Sequence, residues 1–97
     1  MHDYEVTPSR PRNPLRLAEL QTMPYEEFLK TPEWQRTREW AKERHGEHCM
    51  SAGCSRREGL EVHHNTYKRR GCERLCDLAV FCHDCHRRVE GFATGHS

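Results

Sequence analysis

Residues 60–91 read LEVHHNTYKRRGCERLCDLAVFCHDCHRRVEG, and this stretch carries most of the pattern that determines the fold. The alternation of apolar and polar residues at 60–63 predicts a short strand, and residues 79–81 predict a second strand. The polar loop between them contains Gly71, so an antiparallel hairpin is the economical pairing. Residues 84–89 then have a helix-forming composition. The stretch therefore predicts a strand–strand–helix unit.

The segment before this unit predicts two helices. Residues 25–29 place apolar side chains at helical spacing. A second helix is expected from Pro32 to His45, because Thr31 is a good N-cap residue, proline is favoured in a first turn, and Gly46 is a plausible stop. The predicted buried side of this second helix consists of Trp34, Thr37, Ala41 and Trp40.

The first 22 residues look different from the rest of the chain. They contain prolines at positions 8, 11 and 14 and few apolar residues before Leu15. Such a composition predicts a flexible N-terminal arm over residues 1–22, which orders only on a partner. The remaining residues, 23–97, are long enough for one small domain.

Six cysteines suggest how so small a domain is stabilised. Only 34% of the 97 residues are hydrophobic, so a metal site is a useful addition to the core. Two cysteine pairs have loop lengths that allow four thiolates to meet on one zinc ion, which would then be structural because its coordination sphere is closed. These four are Cys49, Cys54, Cys82 and Cys85. An exchange of one of them for His48 or His83 stays open, and Cys72 and Cys76 are expected to be free thiols.

The compartment decides between zinc and disulfides. Residues 1–24 contain no apolar run of signal-peptide length, and no stretch is long and apolar enough for a membrane helix. We therefore expect a cytoplasmic protein with reduced thiols and no membrane association. A disulfide-stapled secreted protein is the competing reading, and a thiol and zinc count separates the two.

Four features occur in order along the chain: a His63-His64 pair at a strand end, Asp77 before the second strand, the Cys82-x-x-Cys85-His86 motif, and Glu90 one turn later. Together with the four-cysteine frame, this pattern resembles the HNH nuclease motif, particularly its zinc-framed bacterial and phage branch. The resemblance covers about residues 25–91, because YEEFLKTPEWQRTREWAKERHGEHC is similar to the helical lead-in of that branch. It implies a small α+β fold, a ββα-metal (His-Me finger) hairpin-helix motif with a four-cysteine structural zinc and N-terminal helices.

The resemblance also implies an activity, metal-dependent hydrolysis of DNA phosphodiester bonds by an endonuclease. It makes His64 the general base, and it makes His63 and His86 ligands of one divalent cation, Mg²⁺, Mn²⁺ or Ni²⁺. Asp77 stands where the motif usually has asparagine; if it contacts the His64 ring, it should raise the pKa of that imidazole. Glu90 is either a third ligand or a bystander.

One geometric condition follows from the strand itself. Neighbours on a regular strand face opposite ways, so His63 and His64 share a site only if the strand ends or bends there. Asn65, a poor strand former, is compatible with such an end. The same alternation groups Glu61 with His63, and Glu61 then either assists the metal or pairs with an arginine.

The expected partner is DNA. The resemblance places a basic loop beside the site, where side chains would bind the phosphates that flank the cut. The expected phosphate-binding residues are Lys68, Arg69, Arg70 and Arg87. A homodimer or a phage or host protein is a further possible partner. The alternative function is a catalytically inactive, zinc-stabilised DNA-binding or adaptor module.

Overall fold

The computed structural model describes residues 4–94, with the side chains of residues 4–89. Its centre is an antiparallel hairpin of β1, Leu60–His64, and β2, Leu78–Cys82, in which Leu60 pairs with Cys82 and His64 with Leu78. Helix α4, His83–Thr94, follows β2 without a break. The predicted strand–strand–helix unit is confirmed.

Three helices precede the hairpin: α1, Pro14–Thr22, α2, Tyr25–Phe28, and α3, Pro32–Arg44. The Thr31 hydroxyl accepts a hydrogen bond from the Trp34 amide at 3.2 Å, so the predicted N-cap of α3 is confirmed. The buried residues of α3 are Trp34, Thr37 and Ala41, while Trp40 is half-buried. Gly46, just past this helix, adopts a positive φ of 90°, as a helix stop requires.

The main hydrophobic core lies where α2 and α3 pack on one face of the hairpin. Because side chains alternate along β1, Val62 and His64 face this core, whereas Glu61 and His63 face the side of α4. Within residues 4–94, no helix has the length and hydropathy needed to cross a bilayer. The core consists of Leu20, Phe28, Trp34, Ala41, Val62, Leu75, Leu78 and Val80.

The N-terminal segment differs from the predicted flexible arm over the residues described. Val6 forms a β-bridge with Arg74, and the buried Thr7 hydroxyl bonds to that of Thr37 at 2.7 Å. Helix α1 then buries Leu20 completely. The composition of this segment could not predict these contacts, because each one depends on a residue more than 29 positions further along the chain.

The loop between the strands is held by arginines. The Arg69 guanidinium donates two hydrogen bonds to the Asp77 carboxylate, and Arg70 donates to the carbonyls of Leu20 and Met23 at the end of α1. Gly71 has a φ of 92°, and its α-carbon lies so close to α1 that a β-carbon would approach Leu17 at 3.0 Å. A 3₁₀ turn at Leu75–Asp77 leads into β2.

Candidate metal centre and active site

Four thiols converge at the end of the hairpin. Cys49 and Cys54 come from the loop after α3, Cys82 ends β2, and Cys85 lies in the first turn of α4. Their sulfur atoms all lie within 4.8 Å of one another, so this group could hold a metal ion. In the described part of the chain, it is the only group of three or more histidine, cysteine or acidic residues with ligand atoms this close.

The surroundings of the thiols favour ionisation at one of them. Burial raises the pKa of Cys49, but hydrogen bonds from the backbone amides of Cys82 and Ser51 outweigh this effect and bring its pKa to about 7. The Ser51 side chain acts to lower the pKa of Cys85, yet bonds with the neighbouring thiols raise it to about 11. One thiolate therefore forms easily, and a cation is needed to ionise the whole set.

The other possible ligands point elsewhere. His48 bonds through Nδ1 to the Cys49 carbonyl oxygen at 3.0 Å, and His83 bonds to Glu61. Cys72 and Cys76 are outside the cluster, and all six cysteines are free thiols in the structure. The group that could hold a metal ion therefore consists of the four cysteines that the spacing predicts.

A second group of polar side chains lies on the α4 side of β1. The rings of His63 and His86 are 5.4 Å apart between centroids and nearly perpendicular. The Glu61 carboxylate accepts a hydrogen bond from Nδ1 of His86 at 2.5 Å and another from Nδ1 of His83 at 2.9 Å. The structure thus brings the two predicted cation ligands together. Glu61 was expected either to assist the metal or to pair with an arginine, and in the structure it pairs with His83 and His86.

Glu61 sets the tautomer of His86. A carboxylate can only accept, so Nδ1 of His86 carries a proton, and Nε2 is the ring nitrogen that could coordinate a cation. Burial acts to raise the pKa of Glu61, but the hydrogen bonds from His83 and His86 outweigh it and the pKa is lowered. The carboxylate is therefore ionised near neutral pH and holds the His86 ring in one orientation.

His64, the predicted base, lies on the opposite face of β1. Its side chain is fully buried and stacks against Trp34 with a centroid distance of 4.6 Å. Nε2 lies 2.9 Å from the Glu73 carboxylate and Nδ1 lies 3.0 Å from the Tyr25 hydroxyl. In the neutral ring, Nε2–H donates to the Glu73 carboxylate, and Nδ1 then accepts a hydrogen bond from the Tyr25 hydroxyl.

The two histidines nevertheless line one cleft, of about 350 Å³. β1 ends at His64, which pairs with Leu78, and a bend follows at Asn65, so the strand end expected at this histidine pair is confirmed. Residues from both faces of β1 line the cleft, which therefore runs along the strand edge that is not bonded to β2. Helix α3 forms the opposite wall with Trp34, Gln35 and Arg38.

Asp77 has a different environment from the one considered in the sequence analysis. Its carboxylate accepts hydrogen bonds from the Arg69 side chain at 2.5 and 2.7 Å and from the Arg74 amide at 2.9 Å. Burial acts to raise its pKa, but these bonds outweigh it and the pKa is lowered. Asp77 therefore ties the loop to the 3₁₀ turn, and the carboxylate that contacts the His64 ring is Glu73.

The predicted phosphate-binding residues fall into two groups. Arg69 and Arg70 are engaged inside the protein, by Asp77 and by the end of α1. Lys68 and Arg87 are exposed. The side chain of Glu90 lies outside the residues that the structure describes.

Sequence reasoning missed Glu73, Tyr25 and Arg38 as parts of this site. Glu73 is nine positions from His64, and Tyr25 and Arg38 are on helices far from it in sequence, so strand periodicity carries no signal for any of them. A glutamate is rarely buried unless it has a partner. The burial of Glu73 is known only from the structure and could not be predicted from the sequence. Comparisons with protein-family models, with curated proteins and with solved structures find no match for this chain.

Proposed function

We propose that the protein is a metal-dependent DNA endonuclease of the HNH type that hydrolyses phosphodiester bonds. The observation that carries the proposal is the cleft beside β1, which joins a paired His63 and His86 to a carboxylate-bound His64. Hydrolysis of a phosphodiester needs a base for water and a cation for the developing charge. One histidine that could act as the base, His64, and two that could hold the cation, His63 and His86, lie along this one strand edge.

The four cysteines hold a structural zinc ion in this proposal. Zinc favours four thiolates in a tetrahedron, whose sulfur atoms are about 3.8 Å apart for a Zn–S bond of about 2.3 Å. The Cys54 and Cys82 sulfurs are already 3.9 Å apart. Since Cys82 and Cys85 flank the start of α4, the ion fixes the helix that carries His86.

His63 and His86 hold the catalytic cation, Mg²⁺, Mn²⁺ or Ni²⁺. When bound, it supplies Lewis-acid stabilisation of the phosphoryl and leaving oxygens. Glu61 keeps Nε2 of His86 available for this role by binding Nδ1, as carboxylates commonly do for metal-binding histidines. Two protein ligands leave coordination positions for phosphate and water, which a catalytic site needs.

His64 is the general base in this proposal, acting through Nδ1. Glu73 holds the ring and stabilises the imidazolium that forms when the base takes a proton. The Tyr25 hydroxyl now occupies the hydrogen-bonding position on Nδ1, so this side chain must move aside for water to reach the nitrogen. DNA phosphates would contact the exposed Lys68 and Arg87.

The competing function is a zinc-stabilised DNA-binding or adaptor module without catalysis. The buried position of His64 favours it, because neither ring nitrogen of His64 faces water in the structure. This module would bind zinc and remain folded but would cut no DNA with any divalent cation.

The test is conversion of supercoiled plasmid by the zinc-loaded protein with Mg²⁺, Mn²⁺ or Ni²⁺, beside His63→Ala. We expect nicked or linear DNA with 5′-phosphate ends from the parent, and at least 100-fold slower conversion by the variant. His63→Ala is a suitable variant because its ring is on the open face, outside the core. A folded, zinc-loaded parent that cuts with none of the three cations would contradict the endonuclease proposal.

A further inference from the structure

Arg38 is an arginine in the cleft with an incomplete set of partners. Its Nε is buried and has no hydrogen-bond partner among the described residues. Nη2 donates to Gln35 Oε1 at 3.2 Å and lies 3.8 Å from the Glu39 carboxylate, a contact at the surface of α3. A buried guanidinium N–H without an acceptor costs free energy. The side chain as a whole is 40% exposed, so its outer part is accessible to a ligand in the cleft.

The cleft contains a carboxylate that Arg38 does not use. Glu61 lies in the wall formed by β1, but it is engaged by His83 and His86. The described residues show no ion pair between Arg38 and Glu61. The ion pair of Arg38 is with the exposed Glu39 at 3.8 Å, and exposed pairs of this kind contribute little, so the positive charge of Arg38 remains available for an anion in the cleft.

Gln35 gives the guanidinium a fixed position. Its side-chain amide donates to the Leu29 carbonyl at 2.8 Å, while its Oε1 accepts from Arg38. The chain Leu29–Gln35–Arg38 thus connects the end of α2 to the arginine. With Nη2 bonded to Gln35, the guanidinium keeps further N–H groups that can donate to phosphate oxygens.

We propose that Arg38 binds a backbone phosphate of the nucleic-acid substrate across the cleft from His63 and His86. This inference rests on the proposed function for the identity of the ligand, since the cleft would hold the phosphodiester to be cut. It makes Arg38 part of the binding site and assigns α3 a direct role in substrate recognition. The substrate class is a phosphodiester chain read through its backbone, without contacts that specify a base.

The first experiment measures binding without catalysis. A fluorescein-labelled 20-base-pair duplex is titrated with the zinc-loaded protein at several salt concentrations and no added divalent cation. For Arg38→Gln we expect about 10-fold weaker binding and a plot of log K against log salt that is less steep by about 1, as loss of one phosphate contact predicts.

Arg36→Gln is the matched control. Arg36 is an exposed arginine on the same helix, and its Nε donates to Ser9 at 3.2 Å, on the N-terminal segment. We expect its affinity and salt dependence to stay within twofold of the parent. Arg38→Lys should restore the salt slope but only part of the affinity, because lysine keeps the charge and loses the planar fork.

Two outcomes overturn the inference: Arg38→Gln binds the duplex with parental affinity and salt slope, or Arg36→Gln weakens binding as much. Circular dichroism and the zinc content show that each variant is folded. Because these measurements need no cleavage, they decide the role of Arg38 even where the parent cuts no DNA. In that case the endonuclease proposal fails, and the binding titration alone decides whether Arg38 binds phosphate.

Discussion

His63 and His64 are sequence neighbours with opposite surroundings. His63 is half-buried on the open face beside His86, whereas His64 is enclosed by Trp34 and bonded at both ring nitrogens. Strand alternation alone produces this difference. Substitutions at the two positions should therefore have very different effects on stability.

His64→Ala should lower the free energy of unfolding by about 3–5 kcal/mol, because it opens a cavity and leaves the Glu73 carboxylate buried without its partner. His63→Ala should cost less than about 1 kcal/mol. Urea unfolding followed by circular dichroism measures both. Equal costs at the two positions would contradict the placement of His64 in the core. Because His64→Ala is expected to destabilise the fold, a loss of cleavage in that variant would not separate catalysis from folding. Cleavage is therefore better tested at His63.

Asp77→Asn should lower stability by about 1–2 kcal/mol at pH 7, because the charge-assisted bonds from Arg69 are lost. The pKa of Asp77 is lower in the folded protein than in the unfolded chain, where it is about 3.9. Its contribution to stability is therefore present above pH about 4 and disappears as the pH falls through the folded value.

Unfolding curves of the parent and Asp77→Asn between pH 7 and 3 measure this effect. The difference between the two proteins should shrink below pH about 4, and loss of the metal ion at low pH affects both and cancels in that difference. A gap that stays constant down to pH 3 would show that the Asp77 carboxylate is not the group that Arg69 stabilises.

At the level of elements, the loop between the strands is attached to α1 by Arg70. Its guanidinium donates to carbonyls at the C-terminal end of the helix, where a cation also interacts favourably with the helix dipole. The same side chain lies over the Phe28 ring at 5.1 Å. One arginine therefore joins α1, α2 and the loop.

Arg70→Ala should lower the free energy of unfolding by about 1–3 kcal/mol, since two backbone carbonyls lose a charged donor. Lys68→Ala, at an exposed position of the same loop, is the control and should change stability by less than about 0.5 kcal/mol. Thermal unfolding is the measurement. If the two variants have the same melting temperature, Arg70 does not stabilise the fold in solution and remains a candidate for binding phosphate.

The elements with a strong local pattern were predicted well from the sequence. The hairpin followed from alternation at 60–63 and 79–81, and α3 followed from the Thr31-Pro32 start. The packed N-terminal segment was not predicted, because Val6 and Thr7 are ordered by Arg74, Glu73 and Thr37, which no local window contains. The partners of His64 were missed for the same reason.

For the whole molecule, the four-cysteine cluster connects the parts that the small core connects weakly. It ties the loop after α3 to the end of β2 and the start of α4. The cysteine spacing alone predicted this site, since ligand pairs with four and with two intervening residues constrain geometry strongly. The cleft could not be predicted in this way, because its lining residues come from α2, α3, β1, the loop after β1 and α4.

Removal of the metal ion should unfold much of the protein, because metal binding and folding are coupled in a domain of this size. Cys85→Ser should lose the bound ion and most of the cooperative thermal transition, whereas Cys76→Ser, at an exposed thiol outside the cluster, should keep both. Zinc content by mass spectrometry and melting curves are the measurements. A Cys85→Ser protein that melts like the parent would exclude a structural role for the ion.

The central claim is that the pair of His63 and His86 supports metal-dependent cleavage. His86 and His83 are a matched pair for testing it, because both bond to Glu61 through Nδ1 and, among the described residues, only the His86 ring lies against the ring of His63, edge to face. The most direct measurement is the rate of plasmid nicking against Mn²⁺ concentration for the parent, His86→Ala and His83→Ala, each zinc-loaded and folded. We expect the nicking rate of the parent to saturate with Mn²⁺, the rate of His86→Ala to be at least 100-fold lower, and the rate of His83→Ala to change by less than about threefold. Equal rates in the parent and His86→Ala, or no nicking by the parent, would contradict it.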